Sequence, residues 1–180
     1  VGGRQGTASW KYNKHYIKKT DGNGRTEETS VTNGTNLTWK VETGLDTGTV
    51  VKQLVVTDEL PKGVDLKKLQ FYTDDNSETA SQEDIVDGSN ILMESGNYKV
   101  SGKYNDNAQL VLTILRKDNE KLPTDKKFVI TYECEVDKAE LTSENQSETD
   151  IVKATFTNRA SAKAGDIEIG STSQTQNWTE

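Results

Sequence analysis

Apolar and polar residues alternate over short stretches of this chain, and Gly, Asn and Asp turns separate the stretches, a pattern that predicts strands almost throughout. Trp10–Thr20 reads as a strand ending at the turn Asp21-Gly22-Asn23-Gly24, and Glu27–Thr32 as a second strand ending at Asn33-Gly34. Asn36–Thr43 puts Leu37, Trp39 and Val41 on one face. Val50–Gly63 is a strand running into a turn at Pro61, and Leu66–Thr73 is another strand. Residues 74–96 are acidic and polar and read as a long loop with little regular structure. Asn97–Tyr104 and Ala108–Arg116 form a predicted hairpin across Asn105-Asp106-Asn107. In its second arm Leu110, Leu112 and Ile114 oppose Val111, Thr113 and Leu115, which predicts a central strand covered on both sides. Lys126–Val136, Ile151–Lys163 and Ser171–Thr179 complete the set, with one helical turn expected around Lys138–Leu141. The expectation is an all-β, antiparallel, immunoglobulin-like β-sandwich of two sheets and roughly 8–11 strands. Residues 1–9 read as a flexible lead-in or cloning remnant, and residues 10–180 as a single domain.

Two inward positions break the pattern. In Val50–Gly63 the residues Leu54, Val56, Asp58 and Leu60 share a face, so Asp58 points where the apolar side chains point. A carboxylate there is costly unless it is neutral or paired. In Ile151–Lys163 the residues Val152, Ala154, Phe156, Asn158, Ala160 and Ala162 share a face, so an amide lies on the apolar side. The small Ala154 and Ala160 leave room for another side chain to reach it. Candidate partners lie early in the chain: Lys19 shares parity with Ile17, and Lys18 shares parity with Trp10, Tyr12 and Tyr16. Lys14 is a third candidate, and the alternation leaves the choice open. Without any covalent chemistry, Lys–Asp pairs and buried Asn residues also occur in sandwiches, and Asp58 could cap the turn that follows it.

Composition narrows the classes. Hydrophobic residues make up 31% of the 180, with mean hydropathy −0.80, which calls for a lean two-sheet core. The net charge of −7 and the lack of a basic, aromatic-rich cluster argue against nucleic-acid binding. No apolar run is long enough to span a membrane, and no membrane contact is expected of this segment. The chain opens on Val1 rather than Met, so the expectation is a segment of a longer protein, with any targeting or anchoring signals outside it. Cys134 is the only cysteine, so no internal disulfide can form; its parity with Ile130 and Tyr132 predicts burial as a small hydrophobe.

Other chemistry is thin. Asp21-Gly22-Asn23-Gly24 and Asp84-Ile85-Val86-Asp87-Gly88 carry oxygen ligands near Gly but lack calcium-loop spacing and its closing Glu, so no metal and no cofactor is expected. His15, the only histidine, has no nucleophile elbow to serve and reads as a surface strand residue. Asn36, Asn145 and Asn177 begin formal glycosylation sequons. Paired carboxylates of the kind a glycoside hydrolase needs are not recognisable.

Four stretches taken together resemble a known family. They are Lys19-Thr20-Asp21-Gly22, Leu37-Thr38-Trp39-Lys40-Val41, the VVTDELPKG run from Val55 to Gly63, and Asn158-Arg159-Ala160-Ser161, with Phe128–Val136 between the last two. In this order they resemble the isopeptide-bond-forming, immunoglobulin-like domains of Gram-positive surface adhesins and pilins, in particular the collagen-adhesin type. The resemblance spans residues 15–179. It implies that a Lys and an Asn on neighbouring strands join through an amide, with ammonia lost and a buried acid assisting. Carried onto this sequence, Asn158 is the acceptor, Asp58 the proton shuttle and Lys19 the nucleophile, with Lys18 as the alternative. The implied role is a structural or adhesive module of a cell-surface protein, extracellular and anchored to the cell wall through a region outside this segment. It is not a turnover enzyme. Its partners would be neighbouring domains of the same protein. As the alternative role, it would bind a host extracellular-matrix protein or glycan through the 74–96 loop, whose deletion should then abolish binding without lowering thermal stability.

Overall fold

In the computed structural model, residues 14–74, 76–85, 88, 90–104, 109–141 and 152–180 are described. The expected lead-in, the Trp10–Asn13 part of the first strand, the Asn105-Asp106-Asn107 turn, Val86 and Asp87 of the second acidic loop, and the Asn145 sequon lie outside them. The described residues form twelve strands. They are β1 (Tyr16–Asp21), β2 (Thr29–Val31), β3 (Leu37–Gly44), β4 (Gln53–Glu59), β5 (Val64–Thr73), β6 (Ser81–Asp84), β7 (Asn90–Ser95), β8 (Tyr98–Tyr104), β9 (Gln109–Arg116), β10 (Phe128–Val136), β11 (Lys153–Ala164) and β12 (Ile167–Thr179).

These strands build two sheets, one ordered β1-β3-β10-β5-β6 and the other β2-β12-β11-β4-β9-β8-β7. Every pairing is antiparallel except β2 with β12, which is parallel and makes the larger sheet mixed. The sheets pack face to face as an immunoglobulin-like β-sandwich, and their inner faces merge into one hydrophobic core. The core is drawn from alternate positions, as a half-buried strand requires. Leu37, Trp39 and Val41 of β3, Ile130 and Tyr132 of β10, Leu54 and Val56 of β4, and Leu110, Leu112 and Ile114 of β9 are all fully buried.

The sequence pattern misplaces three features. The strand count exceeds the expected range because residues 74–96 are not a loop. They contain a single 3₁₀ turn at Ser77–Thr79 and the strands β6 and β7. In β7, Ile91, Met93 and Ser95 are buried while Asn90, Leu92 and Glu94 are exposed; the acidic flanks hide this short alternation. β6 offers no apolar alternation at all and is a strand because its backbone pairs with β5. Deleting 74–96 would therefore remove Ile91 and Met93 from the core and lower stability, contrary to what a dispensable loop implies. Secondly, β9 is interior to its sheet but covered on one face only: Val111, Thr113 and Leu115 are half-buried. Thirdly, His15 precedes β1 and is half-buried against Asp46, whose backbone N–H donates to His15 Nδ1 at 3.0 Å.

The turn after β4 sets the entry to the next strand. Gly63 has φ +93, and a Cβ there would lie 2.9 Å from Leu141 Cδ2 and 3.3 Å from Phe156 Cε1. Only glycine meets both demands at once. The helical turn expected near Lys138 is a 3₁₀ turn at Lys138–Glu140, capped by the Asp137 side chain, which accepts from Ala139 N.

Candidate functional site

The polar centre of the core is assembled from both sheets. In β1 Lys18 is exposed, while Lys19, which opens the buried run Lys19–Asp21, is 1% exposed and points between the sheets. Lys14 is exposed at the strand's approach. On the facing sheet Asp58 of β4 is 0% exposed and sits between Leu110 of β9 and Ala160 of β11. Lys19 Nζ donates to Asp58 Oδ2, an ion pair bridging the two sheets with both side chains fully buried. The long lysine stem makes this crossing possible, since packed sheets stand about 10 Å apart.

Asn158 lies two residues before Ala160 on the same inner face of β11, diagonal to Asp58 across the β4–β11 pair and within side-chain reach. It is 0% exposed. Ala160 directly opposite Asp58 is what keeps that diagonal open. Three of the residues named from the sequence pattern, Lys19, Asp58 and Asn158, thus share one buried compartment, and Lys18 does not. The lysine and the amide belong to opposing sheets: β1 hydrogen-bonds with β3 and packs against β12 and β11 of the facing sheet.

Tyr132, fully buried on β10, completes the compartment. Its ring centroid lies 4.5 Å from Lys19 Nζ, a cation–π contact that partly replaces lost water. The alternation of β10 places Tyr132 in the core, but only its cross-sheet neighbours turn it into part of a polar site. Asp58 Oδ1, Tyr132 Oη and both amide atoms of Asn158 are buried without a made hydrogen bond among the described residues. The Tyr132 hydroxyl and the Asn158 amide still act on the Asp58 carboxyl as hydrogen-bonding groups, more weakly than Lys19. We read them as close neighbours not yet locked into hydrogen-bond geometry. Orphaned groups this deep are costly in a finished core.

Burial dominates the protonation. It pushes the Asp58 carboxyl above its ordinary value, and the opposing pull of Lys19 does not overcome it. Burial likewise pushes Lys19 below its ordinary value, against the pull of Asp58. The Tyr132 phenol and the buried Cys134 thiol are both driven up, again by desolvation, so both stay neutral. Burial therefore pushes both members of the pair towards their neutral forms, a free amine and a protonated acid.

The other candidates do not gather. Asp21 Oδ1 accepts from Asn23 N at 2.8 Å and Arg25 N at 2.9 Å, so that carboxylate serves its own turn. Among the described residues the one acidic group compact enough to hold an ion is Asp65, Asp137 and Glu140, half-buried or exposed. No helix among them is long and apolar enough to cross a membrane.

No family model matches the sequence, and no curated protein matches it. Solved structures do match by fold. The major pilin subunit BcpA of Bacillus cereus aligns with TM-score 0.51 and 15% identity over 93% of this chain and 41% of its own. The N-terminal domain of the Streptococcus gordonii adhesin Sgo0707 aligns with TM-score 0.51 and 12% identity over 88% of this chain and 32% of its own. The chain thus spans about a third to two-fifths of these two proteins. A type I cohesin from Clostridium thermocellum, solved in a cohesin–dockerin complex, aligns with TM-score 0.50 and 6% identity over 94% of this chain and 98% of its own. The fold is an immunoglobulin-like sandwich, shared with this adhesin domain and this pilin subunit. Cohesins share it, so the buried compartment, not the fold, carries the functional argument.

Proposed function

We propose that this chain is a structural or adhesive module of a Gram-positive cell-surface protein, stiffened by an autocatalytic amide bond between Lys19 and Asn158 with Asp58 as proton shuttle. The observation that carries the reading is the fully buried Lys19–Asp58 pair facing an Asn158 amide with no hydrogen-bond partner. The neutral amine of Lys19 attacks Cγ of Asn158, and the Nζ–Cγ bond forms as the Cγ–Nδ2 bond breaks. Protonated Asp58, through its unpartnered Oδ1, donates to the amide oxygen and polarises the carbon under attack. As the Asp58 proton passes to that oxygen, the carboxylate left behind takes the surplus proton from Nζ and delivers it to Nδ2, which leaves as ammonia, and the oxygen's proton returns to Asp58 when the carbonyl re-forms. Folding supplies the encounter, replacing a bimolecular reaction with a positioned one.

The site turns over once and is then consumed, so the role is mechanical. The module works outside the cell, tethered through other parts of the protein and stacked on neighbouring domains. Adhesion to a host-matrix protein or glycan would draw on the polar outer faces of the sheets rather than on a 74–96 loop.

The test is the intact mass of the purified, denatured and reduced chain. The expected mass is one ammonia below the sequence value, with Asn158→Ala and Lys19→Met each showing the full mass of their substituted sequence. Peptide mapping should join the Lys19 peptide to the Asn158 peptide. A wild-type mass equal to the sequence value would overturn the reading.

A further inference from the structure

Asn158 faces a second buried amide. In the β11–β12 register it lies directly opposite Gln174, and the two are 0% and 1% exposed. Directly opposed residues have Cβ atoms about 4.5–5.5 Å apart, within reach of amide-to-amide hydrogen bonding.

The nitrogen end of Gln174 is already committed. Nε2 donates to the Glu27 backbone carbonyl at 2.9 Å and to Thr29 Oγ1 at 3.1 Å, both beside or within β2. The backbone at the same position is held too, since the Gln174 carbonyl accepts from Trp39 Nε1 at 3.2 Å. A side chain pinned through its nitrogen presents its oxygen in the other direction. That oxygen, Oε1, is buried and has no partner among the described residues. Across the strand pair Asn158 Nδ2, a donor, makes no hydrogen bond either; its amide acts weakly on the Asp58 carboxyl, lowering it as a donor does, so the contact with Gln174 requires the nearly symmetric amide to be turned over. One buried acceptor and one buried donor on opposed residues are each costly alone and satisfy one another together.

We propose that Gln174 is a positioning residue for the crosslink: its Oε1 accepts from Asn158 Nδ2 and so turns Asn158 Oδ1 towards Asp58. The inference rests on the Lys19–Asn158 reading. A carboxamide is nearly symmetric in shape, and only one of its two orientations presents oxygen to the protonated acid. The reverse orientation offers Asp58 an N–H and leaves the carbonyl unpolarised. Gln174 selects between them because Oε1 can only accept. As Nδ2 gains its proton and departs as ammonia, the same oxygen holds one of its N–H bonds.

The experiment follows ammonia loss by intact mass against time in chains made by cell-free synthesis. Gln174→Met keeps length and removes the acceptor; Gln174→Glu, held protonated by burial, keeps a carbonyl oxygen at the same reach. The expected result is that Gln174→Met slows bond formation on the order of 10-fold or more with unchanged far-UV circular dichroism, as misplacement near a reacting centre does. Gln174→Glu should stay near the wild-type rate. A wild-type rate in Gln174→Met, or equal slowing in both variants, overturns the proposal. Should Gln174→Met fail to fold, NMR of the Lys19→Met chain, which cannot form the bond, reads the contact directly. Slow exchange of the Asn158 side-chain amide is expected there, and free exchange overturns the proposal. A wild-type chain at full sequence mass removes the crosslink itself, whereas a lighter wild type with an unaffected Gln174→Met removes only the role of Gln174.

Discussion

At the scale of single residues, the proton shared by Lys19 and Asp58 would govern the proposed crosslinking. A protonated lysine beside a carboxylate and a free amine beside a carboxylic acid carry the same number of protons, so pH does not choose between them. Burial does, since it lowers Lys19 and raises Asp58. The rate of ammonia loss should therefore be flat around neutral pH. It should fall on the acid side, where Lys19 takes a proton while Asp58 keeps its own, and on the alkaline side, where Asp58 ionises beside an already neutral amine. For stability before the bond forms the signs run the same way. Asp58, raised above its unfolded 3.8, disfavours folding as pH climbs past 3.8 towards its folded value. Lys19, lowered from 10.5, disfavours folding as pH drops from 10.5 towards its folded value. Mass spectrometry of freshly synthesised chains quenched across a pH series reads the rate profile; a rate that rises steadily with pH would exclude Asp58 as the acid.

At the scale of elements, the larger sheet depends on close backbone approach between β8 and β9. Gly102 pairs with Leu112, and a Cβ at Gly102 would lie 2.0 Å from the Val111 carbonyl oxygen and 2.9 Å from Leu112 Cδ2. The obstacle is backbone and cannot rotate away. Gly102→Ala should destabilise the fold by about 1–3 kcal/mol, read as a lower urea midpoint at unchanged m-value. Bond formation should survive, because β9 stands between β8 and β4 in the sheet. At the far edge, β6 shields β7: Glu83 Oε2 accepts from Leu92 N at 2.8 Å and Ser81 Oγ from Glu94 N at 3.3 Å. Side chains from one sheet thereby occupy outward N–H groups of the other, which blunts an edge open to strand addition.

At the scale of the molecule, a Lys19–Asn158 bond would tie β1 of one sheet to β11 of the other and close most of the chain into one loop. Loop-closure entropy for a span of this size is worth about 5 kcal/mol against the unfolded state. For a domain of this length each kcal/mol moves Tm by about 2–4 °C. Asn158→Ala should therefore melt roughly 10–20 °C below the wild type in differential scanning calorimetry and be cut faster by a broad-specificity protease. An unchanged melting temperature would mean that no closed loop exists to lose. Unlike a disulfide, this tie would withstand reductant, which suits a chain whose one cysteine is buried.

The sequence by itself determined the all-β sandwich, the inward faces of β3, β4, β10 and β11, and the two polar intruders Asp58 and Asn158. Each of these follows from a period of two read over six or more residues, which local sterics and burial impose whatever the partner strand is. Alternation also left Lys18 and Lys19 both open, since each shares parity with apolar neighbours. Tertiary structure put Lys19 and not Lys18 inside, because only the facing sheet says which side of β1 is covered. It also decided that 74–96 holds strands: β6 has no apolar face of its own and is a strand through pairing with β5. Tyr132 and Gln174 looked like ordinary strand residues for the same reason. What brings them to the buried compartment is lateral, set by the β11–β12 register and by sheet-on-sheet packing, and a one-dimensional pattern carries no record of which strands lie side by side.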